Sequence, residues 1–281
     1  VAVSVEYRRV RVSSALSRSG LYDLDYAYNP YAGCAHGCLY CYARYYTPYR
    51  EVAENWGRLV YVKENVVEVL KREVKKLQRG VVGVSTTTDP YQPVEELEML
   101  ARGGIEVLLS SGFKVSVQTK SPLVVRDLDI FTRHRELVDV GFTITTLDDE
   151  IAKLMEPGAP PPSARASALR RIASEGVETW IFLGPIVRGV NDSEESVRKV
   201  VQLAAETGSK LIYDFLRLKP GLEKHLEPLE RRFPGASTTP RWWREQIAAL
   251  VERACKELGA RCEPSFPPSK PPSTAKITDF T

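Results

Sequence analysis

Cys34, Cys38 and Cys41 stand in a C-x3-C-x2-C array within Asn29–Arg44, which reads NPYAGCAHGCLYCYAR. Three thiolates at that spacing can hold three corners of a cubane [4Fe–4S] cluster, which normally carries a cysteine on every iron. The absent ligand leaves one iron open to a small molecule, and a bound cofactor could then do hard chemistry there. Zinc is the competing reading, with His36 completing a Cys3His site. His36 follows Cys34 with a single residue between them, a tighter spacing than zinc pairs usually show. An odd number of cysteines in so short a loop does not suit disulfides.

The array, with an aromatic residue before its last cysteine, resembles the radical S-adenosylmethionine (AdoMet) enzymes. The fuller pattern NPYxGCxHxCxYCYAR is similar to their spore photoproduct lyase-like branch. So are TDPYQP, TKSPLVVRDLD and ITTLDDEIAKLMEPGAPPPSAR further on, which carry the likeness to about Asp192. The resemblance implies a partial barrel, a [4Fe–4S] cluster, AdoMet and an electron donor of flavodoxin or ferredoxin type. It sets Tyr40 against the adenine of the cofactor and places Thr88, Lys120 and Thr145 at cofactor-contacting positions, with Thr86 beside them. The glycine-rich GGE-type segment common in the superfamily is replaced after strand 2 by Ser85-Thr86-Thr87-Thr88. In spore photoproduct lyase that segment carries a cysteine that returns a hydrogen atom to the product radical. Aligned on Thr88-Asp89, Thr87 takes its place here.

The elements that must position these residues alternate. Strands are expected at Leu21–Asn29, Val81–Val84, Phe113–Gln118, Leu137–Thr145, Glu178–Leu183 and Lys210–Leu216. Helical spacing runs through Lys63–Arg79, Pro93–Ser111, Pro122–His134, Asp149–Met155, Ser163–Gly176 and Ser193–Thr207. Six strand–helix alternations with long connections indicate an α/β chain folded as a partial (β/α)6 TIM-like barrel. Residues 1–20 read as an N-terminal arm or edge strand and 21–220 as the barrel. Residues 221–281 read as an extension with one helix, Arg241–Leu258, and a Pro-rich tail from 264 that is extended or disordered.

In a parallel β/α barrel the working residues sit at the carboxyl ends of the strands. There the sequence places the cysteine loop, Ser85–Asp89, Thr119-Lys120-Ser121, Thr145 and Thr146, Gly184-Pro185, and Arg217 with Lys219. Lys120 could pair with a cofactor carboxylate and the threonines could meet ribose hydroxyls. Asp89 and Tyr91 are the candidate catalytic residues, with Gln92 beside them. Glu156 and Arg165 could form a structural pair, and Asn191-Asp192-Ser193 reads as a helix cap. Nine tyrosines crowd Tyr22–Tyr49, where they could shield a cluster or stack on a base.

Composition bounds the remaining classes. The 281 residues carry 43% hydrophobic and 27% charged side chains and a net charge of +3, ordinary for a soluble globular protein. That charge is too small to announce a nucleic-acid binder, and no apolar run approaches a membrane span. Basic and aromatic residues at Arg231-Arg232, at Arg241-Trp242-Trp243-Arg244 and in the N-terminal arm could still track a phosphate backbone. Cys255 and Cys262 could pair only in an oxidising setting or in a hyperthermophile's cytosol. An oxygen-sensitive cluster points instead to a reducing cytoplasm. The expectation is therefore a cytoplasmic, monomeric radical AdoMet enzyme acting on a nucleic acid or nucleotide. A peptide or small-metabolite substrate is the alternative within the class, and a zinc-stabilised nucleic-acid-binding module the alternative outside it.

Overall fold

The computed structural model describes residues 4–266. Its strands are β1 (Glu6–Val10), β2 (Leu16–Arg18), β3 (Tyr26–Tyr28), β4 (Tyr31–Ala32), β5 (Leu59–Lys63), β6 (Val81–Val84), β7 (Lys114–Thr119), β8 (Val138–Thr143), β9 (Glu178–Ile186), β10 (Lys210–Phe215) and β11 (Arg261–Pro264). Eight of them form one sheet in the order β11-β10-β9-β8-β7-β6-β3-β2. Within it β3 and β6 to β10 run parallel, each beside its predecessor in that series. These are the strands of a partial barrel. The sheet stays open, with β2 antiparallel on one edge and β11 parallel on the other.

Along the parallel strands the buried apolar side chains fall mainly at alternate positions, as in β7, where Val115 and Val117 are buried and Ser116 and Gln118 only partly covered. Val82, Val84, Val115, Val117, Val140, Phe142, Ile181, Leu183 and Leu211 are all buried. Outside them lie the apolar faces of the helices Leu100–Ser110, Pro162–Ser174, Glu194–Thr207 and Arg241–Leu258. Together they make one continuous core. Burial at this scale stabilises by about 25 cal/mol per Å² of apolar surface.

Several boundaries differ from the sequence expectation. The first barrel strand is only Tyr26–Tyr28, and Asp25 just before it bonds Val81 twice, donating its N to Val81 O and accepting from Val81 N on its carboxylate. The expected helix Lys63–Arg79 shrinks to Val66–Glu73, since Leu59–Lys63 is drawn into a second sheet. Pro93–Ser111 breaks at Met99, whose left-handed backbone (φ 52°) separates Glu95–Glu98 from Leu100–Ser110. A helix not foreseen, Glu223–Arg232, follows the barrel with Pro228 inside it. Pro264 closes β11, and the rest of the expected tail, from 267, lies outside the described residues.

Two features reach the cysteine loop. The second sheet, β1-β5-β4, is built from the expected N-terminal arm and the loop's own entry: Tyr31 pairs with Val62 and Ala32 with Tyr61. A separate apolar cluster of Met155, Val187, Leu216, Leu222, Leu226, Leu229 and Ala236 packs on Leu39 and Tyr40 from the other side. The segment after the barrel thus backs the loop with apolar side chains.

Candidate active site

Between these two supports the cysteine loop is held mainly by backbone contacts. Gly33 enters it at φ 89°, and a Cβ there would lie 2.5 Å from Leu59 O, so only glycine is accommodated. Gln92, fully buried, accepts from Ala35 N at 2.9 Å and donates to Gly33 O and to Thr88. Leu39 N donates to Met155 O and Gly158 N to His36 O. A Cβ on Gly158 would sit 2.4 Å from Ala35 O, so the turn after Glu156 lies directly on the loop. Arg44 closes the far side, donating to the carbonyls of Cys41 and Cys38 while its guanidinium lies over Trp56.

All three loop thiols are free, Cys34 and Cys38 buried and Cys41 partly exposed. Burial pushes Cys34 well up, with Asp89, Cys38 and Cys41 adding to the effect. Burial likewise pushes Cys38 up to about 12, although Lys120 pulls the other way. Protonated buried thiols are poor nucleophiles. Grouped on one loop, they suit a metal centre that deprotonates its ligands on binding. Among the described residues no three His, Cys, Asp or Glu side chains converge on a single ion. His36 turns its Nδ1 to Asp89 Oδ2, 3.3 Å away.

Lys120 follows β7 beside the loop. Burial opposes its charge, but Cys38 and Glu156 more than offset that and raise the ammonium above its ordinary value. It lies 5.8 Å from the centroid of the Tyr40 ring and, among the described residues, within ion-pair distance of no carboxylate. Tyr40 in turn donates to Glu156 Oε1, which Thr145 also approaches at 3.4 Å. Arg165 Nη2 lies 2.5 Å from Glu156 Oε2, so the expected pair is formed and is completely buried. Tyr40, Lys120 and Thr145 thus come together around a carboxylate.

The threonine run takes a different course. Thr88 donates to Gly33 O at 2.5 Å, and Thr86 and Thr87 both bond the Asn29 side chain. Thr86, Thr87 and Thr88 are all part-exposed at the carboxyl end of β6, beside the loop.

The two candidate catalytic residues are tied elsewhere. Asp89 accepts from Tyr91 N, the Thr119 hydroxyl and Lys120 N. Burial would raise its pKa, but His36 and these donors bring it down to about 2. Both of its oxygens are thus engaged in bracing its own loop against the exit of β7. Tyr91 is 1% exposed and donates to Asp127 at 2.9 Å, with Arg126 over its ring. Its hydroxyl ends in a salt-bridge network, not in the pocket. Gln92 likewise faces loop backbone rather than a substrate.

Asn191 does more than cap a helix. It donates to Thr145 O and Pro185 O and accepts from Val187 N, joining the exits of β8 and β9. Only the polarity of NDS hinted at it. The candidate phosphate-binding residues are mostly neutralised: Arg8 pairs with Glu6 and Glu51, Arg9 with Glu98, Arg11 with Glu64, Arg231 with Glu227 and Arg241 with Glu245. Trp243 is buried and donates to Asp192. Exposed aromatic rings with cations over them are found instead at Tyr46 with Lys219 and at Trp242 with Arg188. Cys255 and Cys262 form a disulfide that ties the helix Arg241–Leu258 to β11.

An α/β partial barrel with a three-cysteine loop at the carboxyl ends of its strands defines a class of enzyme. The model of the radical SAM superfamily matches residues 28–204, and the chain belongs to that family. An uncharacterized protein of Methanocaldococcus jannaschii is 29% identical over 231 residues, spanning 82% of this chain and 85% of the relative. One from Acidianus two-tailed virus is 30% identical over 216 residues, spanning 73% and 71%. Among solved structures, spore photoproduct lyase complexed with dinucleoside spore photoproduct superposes with a TM-score of 0.69 at 16% identity. That match covers 92% of this chain and 82% of the lyase, and it shows a shared fold. Family membership implies AdoMet and an iron–sulfur cluster, and the protein is a radical AdoMet enzyme.

Proposed function

We propose that Cys34, Cys38 and Cys41 hold a [4Fe–4S] cluster and that the enzyme removes a hydrogen atom from a nucleic acid or nucleotide. When bound, the reduced cluster and AdoMet supply a 5′-deoxyadenosyl radical, for which a flavodoxin- or ferredoxin-type protein would provide the electron. The observation that carries this reading is the part-exposed cation of Lys120, in no ion pair among the described residues, facing Tyr40 beside the free thiols. Lys120 would take the cofactor carboxylate, Tyr40 would wall the adenine, and Thr145, Thr86 and Thr88 would line the remainder. Asp89 and Tyr91 would act by holding loops. We place the catalytic unit in residues 21–220, with 1–20 and 221–281 as supports, in a monomer of the cytoplasm. Among the described residues no helix is long and apolar enough to cross a membrane.

Support for a nucleic-acid substrate comes from the exposed ring–cation pairs following the cysteine loop, β9 and β10. Stacking on such rings suits bases of any sequence. The test is anaerobic incubation of the reduced enzyme and AdoMet with a uniformly deuterated single-stranded oligonucleotide. Deuterium should appear in 5′-deoxyadenosine. Transfer from a deuterated peptide and none from the oligonucleotide would return the substrate to the peptide class. Repair of the thymine photoproduct is not part of this reading. Thr87 offers an O–H, a much stronger bond than a thiol S–H, and its hydroxyl is held by Asn29. A spore-photoproduct dinucleotide should give 5′-deoxyadenosine without repaired product.

A further inference from the structure

Three groups read as touching the cofactor, Tyr40, Thr145 and Lys120, surround a residue with no part in that reading. Glu156 is 1% exposed and lies just beyond the helix Asp149–Met155. Its Oε1 accepts from the Tyr40 hydroxyl and faces that of Thr145. Its Oε2 faces Arg165, which is anchored in turn by donating to Pro160 O at 2.8 Å and Thr143 O at 3.1 Å. Burial alone would push Glu156 up, but Arg165 and Lys120 bring it below the usual carboxylate value. The same turn is pinned to the cysteine loop by Leu39 N on Met155 O and Gly158 N on His36 O.

We infer that Glu156 is the positioning residue of the cofactor pocket, fixing Tyr40 and Thr145 against Lys120, with Arg165 as the strut that keeps it turned inward. The inference rests on the AdoMet reading above. Several features of the geometry favour it over a purely structural ion pair. A structural pair has no need of hydroxyls from two different barrel exits on one oxygen. Nor does it need to stand beside an ammonium that lacks a carboxylate of its own. A side chain free to swing about χ1 would present a variable wall to an adenine, whereas a tyrosine held at its hydroxyl keeps its ring in one place. Glu156 reaches the cofactor only through Tyr40 and Thr145, so its effect must pass through them.

That dependence makes the inference testable in reconstituted protein without turnover. AdoMet affinity is measured by calorimetry, cluster content by iron, sulfide and absorbance, and folding by thermal melting. The variants are Tyr40→Phe, Glu156→Leu/Arg165→Met, and the triple combination. Tyr40→Phe removes one hydroxyl and leaves the buried pair whole. It should bind AdoMet roughly 3- to 10-fold more weakly, the worth of one hydrogen bond, with the cluster as in the wild type and a melting temperature lower by about 2–4 °C at most. The double variant replaces the pair without stranding a buried charge and should lose at least as much. The triple variant should be no weaker than the double, because the Tyr40 hydroxyl then has nothing to hold it. Losses that multiply, or a Tyr40→Phe protein that binds as the wild type does, would overturn the inference. A wild-type protein that assembles its cluster but fails to bind AdoMet would overturn the cofactor reading and the inference together.

Discussion

Two buried ionic networks flank the first barrel strands, and they are built to opposite ends. In one, Arg126 bonds Glu95 and Asp127, Arg102 bonds Asp127 and Asp129, and Tyr31 and Tyr91 give their hydroxyls to Glu95 and Asp127. Glu95 also accepts from Ala101 N and Arg102 N, capping the helix that follows Met99. Arg133 also reaches Asp129 at 3.5 Å, so three arginines stand against three carboxylates. In the other, Glu156 and Arg165 satisfy each other, and Lys120 is left over beside three free thiols. A network that closes on itself holds a fold together, whereas a surplus of one sign in a buried pocket calls for a ligand of the other sign. The AdoMet carboxylate has the charge that the second network lacks.

The contrast can be broken most forcefully at Asp127. Asp127→Ala leaves Arg126 with Glu95 and Arg102 with Asp129 but unpairs the buried Tyr91 hydroxyl, and should cost about 1–3 kcal/mol, which lowers Tm by roughly 2–12 °C for a chain of this size. AdoMet affinity at low temperature should hold. A large loss of affinity in folded Asp127→Ala protein would show that the two networks are not separate. Lys120→Ala should do the reverse. A charge-assisted hydrogen bond of about 1.5–3 kcal/mol is lost, so AdoMet should bind roughly 10- to 150-fold more weakly. The melting temperature should change little, because Lys120 is part-exposed and makes no ion pair among the described residues. Unchanged affinity would make Lys120 structural.

The smallest effect is expected at Tyr91. Tyr91→Phe removes one hydrogen bond to Asp127 and should cost about 1 kcal/mol of stability. Deuterium transfer from substrate to 5′-deoxyadenosine should be unaltered. Loss of turnover in a stable, cofactor-binding Tyr91→Phe enzyme would restore the tyrosine as a catalytic group.

The same contrast explains what could be read from the sequence. The cysteine loop was legible because its chemistry depends on spacing within eight residues. The barrel strands were legible because their apolar residues recur over short segments between turn signals, at alternate positions in β7 and β9. Tyr40, Lys120 and Thr145 came from a resemblance in local motifs, and the structure brings them together. Their meeting point was not legible as such, since Glu156 lies more than a hundred residues from Tyr40 and nothing local marks a carboxylate that will be buried. Asp89 and Tyr91 looked catalytic for the converse reason. Polar side chains beside an active loop look alike whether they face the pocket or brace its wall, and only their partners, Lys120 N and Asp127, decide between the two. The sheet β1-β5-β4 escaped because Leu59–Lys63 runs into a segment of helical spacing, and its partner strand comes from the far N-terminus.

The central claim is that the cysteine loop carries an iron–sulfur cluster that turns AdoMet into a radical source. Its most direct test is anaerobic reconstitution followed by reduction with dithionite in the presence of AdoMet, with the Cys34→Ala, Cys38→Ala and Cys41→Ala proteins alongside. The wild type should be brown, hold about four irons per chain and release 5′-deoxyadenosine, and each variant should lose the cluster absorbance and the product. A colourless wild-type protein that retains one zinc ion and forms no 5′-deoxyadenosine would contradict the account.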